Sequence, residues 1–193
     1  MKAMTLRMPQ AFKRLARDCR GISAVEFALL APVMIGLYLG CVEISDGVSA
    51  DRKVSLTAAT LSNLTAQATT ISNTEMNNIL DAAGMIMFPF SSTLKSTVTC
   101  LKMDANGQAT VQWSATRNGA VKTVGSVYTF ASTNAALAVP NSWLVLAEVT
   151  YAYTPTVGYT ITGTLNLTDQ MFMSPRISPP TYTDSNNVTR TCS

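Results

Sequence analysis

A single carboxylate, Glu26, interrupts the apolar run over residues 22–42, directly behind a basic block. An acid at mid-bilayer costs roughly 2.5 to 3.5 kcal/mol even on lenient insertion scales, so a membrane-length segment that keeps one either tolerates it or uses it. Other residues able to do chemistry are sparse. The chain has no histidine, which excludes Ser-His and Cys-His nucleophile pairs and His-bearing metal sites. It also lacks a P-loop, a G-x-G-x-x-G stretch and a C-x-x-C pair. Glu148 and Asp169 fall in strand-like runs, and a carboxylate-pair hydrolase would need them facing each other across a cleft. Without a cleft signature they read as solvated or salt-bridged acids. No catalytic residue, metal site or cofactor is expected, and the chain does not read as an enzyme. "NLT" at Asn63 and Asn166 and "NVT" at Asn187 match a glycosylation pattern that a Thr-rich chain meets by chance.

The segment that holds Glu26 is set by charge and length. The 193 residues suffice for one domain plus an appendage, and only 13% of them are charged, few for a freely soluble protein. The net charge of +3 is unevenly spread: residues 1–21 hold six cations against Asp18, a net of +5, and the remainder carries −2. A nucleic-acid partner is excluded, because the basic block is short and has no matching patch in the body. The 21 residues of the apolar run would span about 30 Å as a helix, one hydrocarbon core. Basic residues before it and Glu43, Asp46 and Asp51 after it place the leader in the cytoplasm and the body outside. A buried core helix fits poorly with apolarity on all sides. A secretory signal peptide cut after Ala50, in "VSAD", is the stronger rival, but the run exceeds the usual length of about 7 to 15 residues and contains Glu26 and Pro32.

Helical periodicity continues past the membrane through Ile44, Val48, Val54, Ala58, Leu61, Leu64, Ala68 and Ile71. A helix from Ile22 to about Thr70 would reach about 75 Å if unbroken, with Pro32 and Gly47 as expected bends. "SNTE", residues 72–75, is a capping box that opens a second helix with Met76, Ile79, Leu80, Ala83 and Met87 on its apolar side, ending before Pro89. Beyond it the pattern turns to strands. Asn106-Gly107 and Asn118-Gly119 each lie between alternating runs and predict two hairpins in a three-strand meander, and two more strands flank a turn at 155–158. About five antiparallel strands beside an amphipathic stem make an α+β head, followed by the Pro-rich stretch "SPRISPP".

The string "RGISAVEFALLAP" resembles the N-terminus of TadE/TadG-like proteins, the pilin-like minor components of the tight-adherence (Flp) pilus, and more loosely that of all type IV pilins. The resemblance is specific over these 13 residues. It implies a prepilin peptidase cut between Gly21 and Ile22 at the cytoplasmic membrane face, with Glu26 as fifth and Phe27 as sixth mature residue. Removal of the 21-residue leader from the chain of 193 would leave 172. Pro32 matches a proline that such segments often carry. In the pilin model the glutamate pairs with the N-terminal amine of a neighbouring subunit, which turns an insertion cost into a registration signal.

With that cut, Cys19 leaves with the leader and Cys41 lies near the outer membrane boundary, so Cys100 and Cys192 are the two cysteines of the exported head. An oxidising space suggests one bridge, and two buried free thiols are the alternative. The expected division is a cleaved leader at 1–21, a transmembrane segment at 22–42, a periplasmic helical stem and second helix at 43–90, and a β-rich head at 91–193. The expected role is a minor pilin of the inner membrane that helps start or tip a tight-adherence pilus for surface attachment. Its partners would be the prepilin peptidase, other pilin subunits, the assembly platform and membrane lipid. A periplasmic binding module that never joins a filament is the alternative, followed by a type II secretion pseudopilin.

Overall fold

The computed structural model describes residues 21–90, 93–155 and 163–192, so the leader up to residue 20 and the centre of the 155–158 turn lie outside the described residues. The chain forms two compact units, Met1–Val42 and Glu43–Ser193.

The first unit contributes the beginning of helix α1 (Ile22–Gln67). None of its residues 22–42 is buried, and its large apolar side chains lie open: Phe27 is 72% exposed and Leu29 71%. Pro32 lies inside the helix and has no N–H to offer the carbonyl four residues earlier, on Ala28. The chain is nonetheless helical through Pro32, and likewise through Gly47 in the second unit.

In the second unit α1 turns one face to a core. Ala50, Val54, Thr57, Ala58, Leu61 and Thr65 are buried at helical spacing. These side chains are mostly small. Thr57 and Ser62 donate their hydroxyls to the carbonyls of Lys53 (2.7 Å) and Ala59 (3.0 Å), which satisfies two polar groups on a buried face. Ile44, Val48 and Leu64, expected on the core face, are exposed instead. They fit a period of four from one another but lie off the stripe centred on Val54 and Leu61.

Helix α1 ends at Gln67, three residues before the expected Thr70. Thr70–Ile71 form β1, which pairs in parallel with Thr181 and Tyr182, and β-branched residues suit that extended backbone. Helix α2 (Asn73–Met87) opens with the capping box seen in the sequence: the Glu75 N–H donates to Ser72 Oγ (3.2 Å), and the Ser72 N–H donates to Glu75 Oε2 (2.8 Å). Met76, Leu80, Ala83 and Met87 are its buried face.

The strands β2 (Lys95–Met103), β3 (Ala109–Arg117), β4 (Val127–Tyr128), β5 (Trp143–Tyr153) and β6 (Leu165–Met173) form one antiparallel sheet in the order β4-β3-β2-β5-β6. One face covers α1 and α2 with Val98, Trp113, Val145, Val149 and Tyr151. A bulge between β2 and β3 leaves Gln112 unpaired and turns Val111 to the opposite face, where it joins Leu101, Met103, Leu144 and Leu146 in a second core. Phe130, Leu137 and Phe172 pack against that second core.

Of the two expected Asn-Gly hairpins only the first is tight. Asp104 Oδ1 accepts from the N–H of Asn106 and of Gln108, both at 2.8 Å, while Gly107 takes φ +79, where a Cβ would lie 2.8 Å from the Ala138 carbonyl oxygen. At the second, Asn118 itself takes the positive φ of 58 and the chain leaves the sheet, returning only as the two residues of β4. Gly119 is there tucked against Thr116 and Thr97, with room for no side chain: a Cβ would lie 2.7 Å from Thr116 Oγ1.

A small second sheet escaped the sequence reading. In it β1 is joined by β7 (Thr181–Thr183) and β8 (Thr189–Thr191) in the order β1-β7-β8. The β7–β8 turn repeats the β2–β3 turn: Asp184 Oδ1 accepts from Asn186 N–H (2.9 Å) and Val188 N–H (3.0 Å), and Asn187 at φ 58 takes the place that Gly107 has in the other.

Candidate processing and assembly site

Gly21 directly precedes the first helical residue, Ile22, and Glu26 follows Ile22 by four residues, so both lie on one side of the helix about 6 Å apart along its axis. Glu26 and Phe27 are exposed. Among the described residues Glu26 makes no ion pair or hydrogen bond. The chain's own conformation places no demand for glycine at 21: its φ is not in the left-handed range, and an added Cβ would meet nothing within 4 Å. A requirement for glycine there must come from another molecule approaching the backbone.

A second feature of this segment went unread in the sequence. Ala24, Ala28, Pro32, Gly36 and Gly40 recur every four residues and form one narrow row of small side chains. Nothing lies within 4 Å of a Cβ built at Gly36 or Gly40. "GLYLG" is a G-x-x-x-G sequence, the signal by which the row could have been found.

In the second unit Cys100 and Cys192 are bridged, both buried, with Cα atoms 6.0 Å apart. Cys41 is free and exposed. The bridge anchors a tail that is also held elsewhere. Arg176 N–H donates to the Ala66 carbonyl (2.9 Å), Arg176 Nη2 to Asn63 Oδ1 (2.8 Å), and Trp113 Nε1 to the Pro180 carbonyl (3.0 Å). The Tyr182 ring lies 5.3 Å from that of Trp113, and burial raises the Tyr182 phenol above its ordinary pKa.

The acids weighed as a catalytic pair are not brought together. Glu148 is registered with Gln170 and Asp169 with Val149, so the two carboxylates leave opposite faces of the sheet. Glu148 pairs with Lys122 at 2.8 Å, and Lys122 lies 5.5 Å from the Tyr128 ring centre. Burial first, and Glu148 second, raise the Tyr128 phenol. Asp169 accepts from the Gln170 N–H at 2.7 Å. Of the three N-x-T asparagines, Asn63 holds Arg176, Asn166 lies in β6 and Asn187 occupies the β7–β8 turn. Among the described residues no cluster of His, Cys, Asp and Glu could hold a metal ion.

Helix α1 is long and apolar enough to cross a membrane, and its most apolar stretch is not covered by the protein itself. No curated protein and no solved structure matches the chain. A family model does match: the model of TadE-like proteins matches residues 21–61, beginning at Gly21, covering the exposed apolar stretch with Glu26, and running into the part of α1 that carries the core face.

Proposed function

We propose that this chain is a minor pilin that takes part in starting or assembling a tight-adherence pilus for surface attachment. The observation that carries this reading is Glu26 itself, an acid that pairs with none of the described residues, on an apolar helix that those residues leave bare, five residues beyond a glycine whose described surroundings do not require it. Residues 1–21 act as a leader in the cytoplasm, 22–42 cross the inner membrane, 43–90 form the periplasmic stem and second helix, and 91–193 form the head.

A prepilin peptidase hydrolyses the Gly21–Ile22 peptide bond: water adds across it, Gly21 keeps the carboxylate and Ile22 gains an ammonium group. That ammonium and Glu26 then lie on one side of the helix. In an assembly of parallel helices the glutamate meets the ammonium of a neighbour, which pairs a charge that lipid leaves unpaired and fixes the axial offset between subunits. The row from Ala24 to Gly40 lets a neighbouring helix approach closely, and Phe27 adds apolar contact beside the ion pair. Other pilin subunits and the inner-membrane assembly platform supply those neighbours.

The test is Glu26→Gln, which keeps size and lowers the insertion cost. The mature protein should begin at Ile22 by mass in both wild type and variant, and both should fractionate with the membrane. Piliation or surface attachment should fall in the variant when it is the only copy. Normal piliation in the Gln variant would remove the registration role, and a mature start at Asp51 would point instead to a secreted protein.

A further inference from the structure

A cavity of about 330 Å3 opens where α2, β3 and the β7–β8 hairpin meet. Its volume is at the lower end of the range for small-molecule sites. Asn73 and Asn77 contribute from α2, Ser114 and Thr116 from β3, and Ser185 from the hairpin turn. The side of Asn73 is fixed, because the Tyr182 hydroxyl donates to its Oδ1 at 3.3 Å. The hairpin side is fixed too, by the Asp184–Arg190 ion pair at 2.9 Å and by the two turn N–H groups held on Asp184. Met76 and Leu80 line the cavity from α2, and Val121 and Val124 line it from the segment that leaves β3.

Charge decides which ligand class fits. Asp184 and Arg190 neutralise each other, as do Asp81 and Arg117 next to the cavity at 2.5 Å, so neither a phosphate nor a carboxylate finds an uncommitted cation. A flat nucleobase would need an open aromatic face. Tyr182 is only 7% exposed and its ring is engaged with Trp113. The Thr116 hydroxyl donates to the Ser96 carbonyl and is shared with Thr97, and the Ser114 hydroxyl is taken by Thr99 and the Lys122 N–H, so what remains are the Asn73 and Asn77 amides and the Ser185 hydroxyl, which both donate and accept, set beside aliphatic walls. The geometry points to a binding site for a neutral saccharide unit, whose vicinal hydroxyls meet Asn73, Asn77 and Ser185 while its C–H face lies against Leu80, Val121 and Val124.

The site is separable from the fold. Asn77 and Ser185 are exposed, and among the described residues their side chains make no hydrogen bond, so both can be shortened without loosening α2 or the hairpin. The experiment uses the full chain in a zwitterionic detergent with no sugar headgroup, and reads saturation-transfer NMR and calorimetry. The probes are the methyl glycosides of glucose, galactose and mannose, N-acetylglucosamine, N-acetylgalactosamine, glucuronic acid as the charged control, and a tetrasaccharide of whichever neutral sugar binds.

A neutral probe should bind saturably at about 1 to 10 mM, the range that its atom count allows. The Asn77→Ala/Ser185→Ala double variant should weaken it at least tenfold at an unchanged melting temperature. Equal affinity for the tetrasaccharide would mark a site for a free or terminal sugar, and tighter tetrasaccharide binding a site on a polymer; both support the inference. Absence of saturable binding by every neutral probe at 50-fold excess over protein, up to about 50 mM, would overturn it. So would undiminished binding by the double variant, or a preference for glucuronic acid. None of these outcomes bears on Glu26 or on pilus assembly.

Discussion

Reduction of the Cys100–Cys192 bridge, or its removal by Cys192→Ser, should release the C-terminal hairpin while the main sheet stays formed. The bridge joins residues 92 apart in sequence, and a closed loop of that size stabilises by about 4 to 5 kcal/mol in the chain-entropy account. The hairpin has little of its own to replace that. β7 and β8 are three residues each, and two such strands are not stable alone in water. Their other ties include two residues of β1, the Trp113–Pro180 hydrogen bond, the Tyr182 ring and the long Tyr182–Asn73 hydrogen bond, all of which depend on the tail being close.

Hydrogen exchange of the full chain in detergent reads this directly. At 1.4 kcal/mol per tenfold, the lost constraint corresponds to about a thousandfold faster exchange in residues 181–191 and 70–71. The β2–β5 ladder should change far less, because seven of its eight residue pairs lie outside the bridged residues and the eighth, Cys100–Val145, is held by the strands on either side of it. Tryptophan fluorescence should shift red as Trp113, fully buried in the oxidised protein, loses Tyr182 and Pro180. Full protection of residues 181–191 after mass spectrometry has confirmed two free thiols would refute the reasoning, since the tail would then be held by packing alone.

Leu61→Ala removes a fully buried side chain from the core face of α1 and should cost about 2 to 5 kcal/mol, read as a lower midpoint in urea with unchanged membrane fractionation. Ser72→Ala deletes the acceptor for the Glu75 N–H and should cost about 1 kcal/mol, with faster exchange confined to the first turn of α2. Acid should loosen the β7–β8 turn first. The Asp184 carboxyl is held below the ordinary aspartate pKa chiefly by the Val188 N–H, and then by Arg190. Its stabilisation is therefore complete above about pH 4 and is lost as pH falls through the lowered value. Exchange of residues 184–190 measured against pH checks this, and a loss already complete at pH 6 would contradict it.

Residues whose structure is decided by near neighbours in sequence were readable, and those decided by distant contacts were not. The Ser72–Glu75 box specifies its helix within four residues, and α2 begins where the box says. Asp104 and Gly107 specify their turn in the same way. Asn118-Gly119 carries the same two letters, yet the chain there answers to Thr97 and Thr116 on the sheet, which leave Gly119 no space for a side chain and send the backbone outward. The small sheet was missed because its pairing joins Thr70 to Thr181, and two- or three-residue strands leave no periodicity to detect. The turn signal at Asp184 was nevertheless present: "DSNNV" has the Asp and Asn spacing of "DANGQ", with Asn187 in place of glycine.

The candidate site was legible for a different reason. In the second unit several unusual residues are explained inside the protein: the buried tryptophan of β3 by Pro180 and Tyr182, and the lone acid of β5 by Lys122. In residues 22–42 that accounting fails. Exposed apolar side chains, two glycines with empty surroundings and an unpaired carboxylate all cost free energy in water, and no group of the described chain compensates them. In the proposed function lipid would compensate the apolar side chains. It does not compensate Glu26 or use the gaps at Gly36 and Gly40, because lipid offers neither a cation at fixed depth nor a backbone able to lie close. In the proposed function a second helix with a free amine at its N-terminus would supply both. Such residues stand out in a sequence because the local pattern gives no reason for them, and the proposed function assigns what they need to another chain.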